Sequence, residues 1–437
     1  MQTPVNRKKM LLFDKAILIL LIFYFTEVVF GGPGSWSKDY LHIDLRRAFF
    51  GLLSVFLLMN AMINSRTLRM VDISVFIVGN LSFMFWVIFL PELQGKNQLY
   101  AIIDGTPLFF MFVVTWLFTI NAIKWKNQDI TLYNKICDFV FILSIISAVL
   151  HIIIYVLLTF YPALGFVLLD VIKSIFDSED RGNIYIGPMP DGSIRVFWLP
   201  SLFMLYGVYR LMSKIIYKIS IQSIVLLLIF FAAILITQTR SIQLGLLIGA
   251  LFAFLLNFYV RMRLFSKAYL SIIVTLILAS ITFFQIEAAS PDFISFLGLS
   301  RGDSDDSRIL QIGPLLDAWL QNIFVGNGFG AQASHVRSLN SPFSYEMSIL
   351  ALYMKMGILG ALLSSFYFIY LTVSLLPTRN SIIKKRKEFI ALFILVFSLC
   401  FTFNTNPYLS NSVGVAIVLL ICIEVARLSA PEPVVYS

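Results

Sequence analysis

From Ile136 to Phe160 the chain carries one charged side chain, Asp138, and comparable apolar runs recur along most of its length. A helix needs about 20 apolar residues to cross the roughly 30 Å hydrocarbon layer of a bilayer. Inside lipid every backbone N–H and C=O must find a partner within the protein, so spanning elements are helices or closed barrels. The alternating ten-residue segments of a barrel are absent from this sequence, which leaves helices. Composition points the same way: 13% of residues are charged and 59% hydrophobic, where a soluble domain carries about 25% charged residues. The expected fold is an all-α integral membrane protein, one membrane domain over 1–437 built as a polytopic bundle of about twelve spans. These fall near 16–33, 48–63, 71–91, 103–123, 136–160, 194–213, 219–237, 241–260, 268–289, 345–376, 388–405 and 409–427.

The first apolar run follows Arg7, Lys8 and Lys9 as a signal peptide would, but no small-x-small cleavage site comes after it. It reads as a retained span. Assigning loops alternately to two sides puts twenty basic residues on one side, in short loops, and twelve on the other, spread over long ones. Cationic short loops stay in the cytoplasm, so both termini are expected there. The net charge of +9 follows from this pattern and does not imply nucleic acid. Cys137, Cys400 and Cys422 are far apart and odd in number, which suits neither a disulfide framework nor a metal site.

Two loops on the outer side are long, 161–193 and 290–344. Long loops inside compact domains are typically functional or disordered. The first holds an apolar stretch, 163–176, too short to span. The second holds a segment, 308–321, in which Ile309, Ile312, Leu316 and Trp319 recur at helical spacing opposite Gln311, Asp317 and Gln321. That pattern predicts an amphipathic helix in the interface plane, with Trp319 at headgroup level. No internal repeat is visible.

From position 181 onward the cations of the outer loops and span ends are all arginine: Arg181, Arg195, Arg240, Arg301, Arg308 and Arg337. Arginine offers a rigid fork that fits phosphate oxygens, whereas lysine is a point charge. An anionic lipid headgroup such as a pyrophosphate is one ligand for such a set. Scattered loop charges paired with Asp177, Glu179, Asp303 and Asp305 are the plainer reading of Arg181, Arg301 and Arg337. Arg240 lies in the tight turn Leu235–Gln243 between two apolar spans, where an ionisable group is costly unless it faces protein or a wet cavity. Glu346, Tyr353, Gly357 and Gly360 fall on one stripe if residues 345–376 form a regular helix. Glu346 is then a candidate general base near the outer end of that span, with a structural glutamate paired to an arginine as the alternative. Gly326-Asn-Gly-Phe-Gly330 lacks the strand–helix setting of a dinucleotide fingerprint and reads as a tight turn. Asp303, Asp305 and Asp306 read as a loop capping the helix from Arg308. His42, His151 and His335 lack metal-ligand spacing.

Taken in order, these features resemble the O-antigen polymerase/ligase superfamily of bacterial envelope biogenesis, the Wzy–WaaL type. The matching features are Arg240-Ser241 at the outer end of a mid-chain span, a large outer loop with Arg308 before the helix that ends near Trp319, the Gly326–Gly330 turn, and Glu346 eleven positions before Gly357–Gly360. They lie between about 235 and 375, roughly a third of the chain. The resemblance implies a membrane glycosyltransferase of GT-C-like architecture in the bacterial inner membrane, acting at its periplasmic face. Its donor and acceptor would be undecaprenyl-pyrophosphate-linked oligosaccharides, and a chain-length regulator is a partner to expect. Arg240 and Arg308, helped by Arg195, would hold the pyrophosphate, and Glu346 would take the proton of the attacking hydroxyl. Tyr353, His335, Arg301 and Arg337 are further site candidates. Arginine clamps and an activated donor make a metal or nucleotide unnecessary, so no cofactor is expected. Many members, the ligases above all, carry His-Asn where this chain has Glu346-Met347, which favours polymerase over ligase to lipid A core. A lipid-linked-oligosaccharide flippase is the rival from another class, though the halves here are unequal and transporters show paired ones.

Overall fold

The computed structural model describes residues 4–30, 45–63, 69–125, 130–168, 184–188, 194–215, 220–239, 241–247, 249–250, 302–336, 342–345, 347–375, 385–404 and 412–429. Among these the chain is almost wholly helical. In order come α1 (Pro4–Phe30), α2 (Leu45–Ile63), α3 (Met70–Leu93), α4 (Gln98–Trp125) and α5 (Ile130–Phe160). A two-stranded antiparallel hairpin follows, β1 (Ile184–Pro188) and β2 (Ile194–Trp198), with Ile186 opposite Val196. After a 3-10 turn, Leu199–Leu202, come α6 (Phe203–Ile215), α7 (Ile221–Ile236) and α8 (241–247). The remaining helices are α9 (Gly302–Gln321), α10 (Ser348–Leu375), α11 (Arg386–Asn404) and α12 (Ser412–Ser429). Among the described residues three helical stretches are long and apolar enough to cross a membrane: Met70–Leu93, Gln98–Ala122 and Tyr133–Phe160. Arg47–Ile63, Ile221–Ile236, Ser348–Ser364 and Glu388–Cys400 are shorter apolar helices.

The bundle inverts the burial logic of a soluble fold at its periphery. α6 is buried on nearly every side, packed between α5, α7 and α11. α3 instead turns Ile73, Ile77, Leu81 and Phe89 outward. A water-facing monomer rarely shows so large a contiguous apolar face; against hydrocarbon it carries no penalty. Polar groups inside the bundle are paired. Asn60 donates to Asn121 at 2.8 Å, and His151 bonds the Ser147 carbonyl at 2.7 Å and Ser201 Oγ at 2.8 Å. That makes His151 a satisfied core histidine.

At one end of the bundle Glu424, fully buried, accepts from Tyr206 at 2.6 Å, Tyr209 at 3.3 Å and Arg427 Nε at 2.6 Å, and lies 3.4 Å from Arg210. Arg210 also meets Asp138 at 2.5 Å, and Arg427 meets Glu388 at 3.0 Å. Charges this deep persist only when several partners share the desolvation cost. Nearby, Arg69 and the Tyr370 hydroxyl hold Asp72, and Ser429 Oγ donates to the Leu375 carbonyl.

The structure corrects several expectations. The span at 194–213 is a strand, a 3-10 turn and a helix: Ile194–Trp198 is rich in β-branched and aromatic residues, and Pro200 stops the strand. Loop 161–193 therefore contains β1, after a helical turn at 162–168. α9 starts at Gly302, so Asp303, Asp305 and Asp306 lie in its first two turns, where carboxylates suit the helix dipole. α9 offers outward the kind of apolar face that an interface helix would present to lipid. Gln311 and Leu315 are buried, while Leu310, Ile312, Leu316 and Leu320 point outward. Trp319 packs against Tyr353, ring centres 5.4 Å apart. The expected span at 268–289, and residues 251–260 of the one before it, lie outside the described residues.

Candidate functional site

Two polar centres stand at the end of the bundle opposite Glu424. The first is built by the hairpin. Period-two alternation turns Val196 into the bundle, fully buried, and leaves Arg195 half-buried along the strand. Arg195 Nε donates to the Thr237 carbonyl at 3.0 Å, its Nη2 reaches Thr239 Oγ1 at 3.4 Å, and its guanidinium lies 5.0 Å from the Phe197 ring centre. Thr237 and its neighbours end α7, so the cation sits on the negative end of that helix dipole. Thr237, Gln238, Thr239 and Ser241 are all buried. Gln238 adopts φ 47°, a left-handed conformation that costs about 1–3 kcal/mol in a residue other than glycine and clusters at functional sites. Thr402 of α11 holds the far side of the turn through the Ser241 carbonyl at 3.0 Å. Among the described residues, Gln243 Nε2 is buried without a partner.

The second centre follows from one backbone break. α10 kinks at Gly357, whose φ is 61° and ψ −169°. In an unbroken helix the Ile358 and Leu359 amides would donate to the Met354 and Lys355 carbonyls. Here those amides turn to the Ile323 and Phe324 carbonyls, at 2.9 and 3.0 Å. The freed Met354 and Lys355 carbonyls accept from Asn327 N and Gly328 N, at 2.9 and 2.8 Å. Four groups that a kink would orphan are thus repaired by the loop, as buried backbone groups require. α3 makes the matching concession. Residues Met84–Phe89 form a π-turn; the Trp86 carbonyl accepts from Phe329 N at 3.0 Å, and Trp86 Nε1 donates to the Val325 carbonyl at 2.7 Å. Such π-bulges recur at functional sites.

Beneath this loop lies an ion pair. Lys355 Nζ is 2.7 Å from Asp104 Oδ2 and donates to Asp104 Oδ1 at 2.8 Å, with both residues 5% exposed. Gly330 N donates to Asp104 Oδ2 at 2.9 Å, and Lys355 Nζ donates to the Phe343 carbonyl at 2.9 Å. Lys96, in the 94–97 turn, caps the loop from outside through the Asn327 carbonyl at 2.7 Å. Burial lowers the pKa of its ammonium below the usual value. The Tyr345 hydroxyl accepts from Ala333 N at 2.6 Å.

Arg195, expected only as a helper at a span end, lies against the turn that leads into Arg240. Arg240, Arg301, Arg337 and Glu346 lie outside the described residues, and of Arg308 only the place in α9 is described. His335 is half-buried in the loop after Gly330, and Tyr353 is taken up by Trp319. The stripe expected to run on through Tyr353, Gly357 and Gly360 is broken, because Gly357 resets the phase of α10. Asp104 is absent from the residues singled out by sequence, although an acid in one apolar run and a lysine in another are a signal for a buried pair. No family model matches the chain, and no curated protein or solved structure matches it either.

Proposed function

We propose that this chain is a bacterial inner-membrane glycosyltransferase that polymerises undecaprenyl-pyrophosphate-linked oligosaccharide repeats at the periplasmic face. The reading rests on the order of motifs between 235 and 375 in the sequence. The observation that carries it furthest is the convergence of Arg195 on Thr237 and Thr239, which sets a second arginine beside the turn that leads into Arg240. In the reaction the bond between the sugar anomeric carbon and pyrophosphate oxygen breaks, and its electron pair leaves with the pyrophosphate. An acceptor hydroxyl oxygen bonds the anomeric carbon, and Glu346 takes its proton. Arginines spread over the leaving anion supply the electrostatic stabilisation, so neither a metal nor a protonated leaving group is needed.

The test is a fork-geometry test. Arg240→Lys keeps charge but loses one of two parallel hydrogen bonds, each worth about 1.5–3 kcal/mol to a charged group. The expected result is a loss of polymer of about 10–100-fold, nearly that of Arg240→Ala, while Arg337→Lys stays active. Full polymer from Arg240→Lys at normal protein level would reduce Arg240 to a structural charge. Gel analysis of glycolipids after gene deletion separates the rivals. Single repeats on lipid A mark a lost polymerase; naked core with accumulated long chains, a lost ligase; lipid-linked units trapped inside, a lost flippase.

The proposal also fixes orientation. About twelve spans with both termini cytoplasmic would put 161–193 and 290–344 outside. The contacts support that grouping: the 94–97 turn meets the glycine loop and the hairpin meets the 237–239 turn, all at ends assigned outside, while Arg69, Arg210 and Arg427 gather at the other end. Cysteines at Ser193 and at the exposed Ser334 are expected to react with an impermeant thiol reagent in intact spheroplasts. Reaction only after permeabilisation would invert the topology.

A further inference from the structure

The buried pair under the glycine loop has a consequence for the segment between that loop and α10. Lys355 sits in the second turn of α10, yet its ammonium does not reach the aqueous end. It turns back to the Phe343 carbonyl while bonded to Asp104 of α4. Phe343 itself is buried and its ring lies tilted against Tyr100 at 5.6 Å, and two residues on, the Tyr345 hydroxyl is tied to Ala333 N. Segment 342–345 is thus tied at two points, one of them an intramembrane charge. Lysine stems are flexible and costly to order, and an ammonium in a bundle interior is rare and expensive unless paired.

We infer that Lys355, set by Asp104, is a positioning residue: it pins the segment 342–345, from which the chain runs on towards α10. This rests on the proposed function in one respect only, that Glu346, the residue after this segment, is the group that does chemistry. The pinning itself is independent of it. Asp104 contributes by orienting the ammonium and, through Gly330 N, by fastening the glycine loop to the same anchor. The loop and the segment therefore move together or not at all.

The test uses the full chain with a cysteine at Ser344, which is half-buried, labelled in membranes by a water-soluble thiol reagent above the background of the parent chain. Lys355→Met alone leaves Asp104 as an uncompensated buried carboxylate and endangers folding. The informative variant is the double change Asp104→Asn/Lys355→Met. It leaves no unpaired charge, keeps an amide oxygen for Gly330 N, and deletes the bond to the Phe343 carbonyl. The expected result is a chain that still folds, with labelling at position 344 faster by about tenfold, as local opening becomes easier. Transfer is expected to fall about 10²-fold in kcat with little change in KM, the scale of a roughly 1 Å misplacement. Parental labelling in a folded double variant would overturn the inference. Faster labelling with undiminished kcat would support the pinning and overturn the assignment of chemistry to Glu346. Loss of labelling protection in Lys355→Met but restoration in the double variant would also overturn it, since that pattern belongs to a stranded charge and not to a missing bond.

Discussion

Gly357→Ala and Gly326→Ala are each expected to destabilise the protein by about 3 kcal/mol or more, and together they should abolish accumulation of the folded chain. Two costs add at each position. Gly357 occupies φ 61° with extended ψ, and Gly326 has φ 76°. Conformations of this kind cost a residue with a Cβ about 1–3 kcal/mol. The second cost is steric. A Cβ on Gly326 would lie 2.5 Å from both Gly357 N and the Lys355 carbonyl oxygen, and one on Gly357 would lie 2.6 Å from Gly326 N and press on the Phe324 carbonyl. These obstacles are backbone and cannot rotate aside. Relief means moving the loop off the kink, which strips the buried Met354 and Lys355 carbonyls and the Ile358 and Leu359 amides of their partners. Gly51 supplies the control. It lies in α2, where an added methyl would meet nothing within 4 Å, and Gly51→Ala is expected to be neutral or stabilising by up to about 1 kcal/mol. Thermal unfolding in detergent, followed by the loss of a monodisperse species, gives all three. A Gly357→Ala chain that melts with the parent would show the kink to be dispensable.

How much of this is legible in the sequence follows from what each signal encodes. Helical runs such as Ile130–Phe160 are legible because span length and hydropathy are local properties of the chain. Ile194–Trp198 passes for part of a span because a short apolar run does not declare its period, and its neighbours make a span the simpler reading. The burial of Gln311 in α9 escapes for a related reason. Next to lipid a helix has two apolar neighbours, so the moment that points inward in water loses its meaning, and Gln311 can be the buried residue. The glycine turn is recognisable as a turn, yet its partner is not, since only the fold reveals that Gly326 and Gly357 face one another backbone to backbone. By spacing alone Gly357 looks like part of a helix-packing pair with Gly360. Its torsion angles make it a break, and the Cβ that Gly360 lacks would collide with Met356 of the same helix and not with a neighbouring one. Arg195 is legible as an arginine near the outer side. Its strand, and its grip on the end of α7, need the hairpin. Asp104 and Lys355 are 251 positions apart, and nothing local couples them.

Glu346→Gln is expected to lower transfer by about 10²–10⁴-fold, the usual cost of removing a positioned base, while leaving the folded protein intact. An amide matches the carboxylate in shape and can accept hydrogen bonds, but it cannot take the proton of an attacking hydroxyl at neutral pH. The surroundings make the substitution interpretable, because both flanks are held by bonds that do not involve this side chain. Phe343 is tied through its carbonyl to Lys355, Tyr345 through its hydroxyl to Ala333 N, and α10 starts at Ser348. A glutamate that merely balanced an arginine would behave differently. Its loss would strand the arginine at a cost of about 3–5 kcal/mol, so protein level and thermal midpoint would drop with activity. Measuring transfer and stability on the same preparation separates the two. Glu346→His sharpens the test, since imidazole titrates near neutral pH and can serve as a base there, and the resembling ligases carry histidine at this slot. Partial transfer by the histidine variant, with its pH profile shifted upward as the ring must first lose its proton, together with none from the glutamine variant, would establish proton transfer at position 346. A stable and fully active Glu346→Gln chain would remove Glu346 from the chemistry, and His335, half-buried beyond the glycine loop, would be the next group to replace.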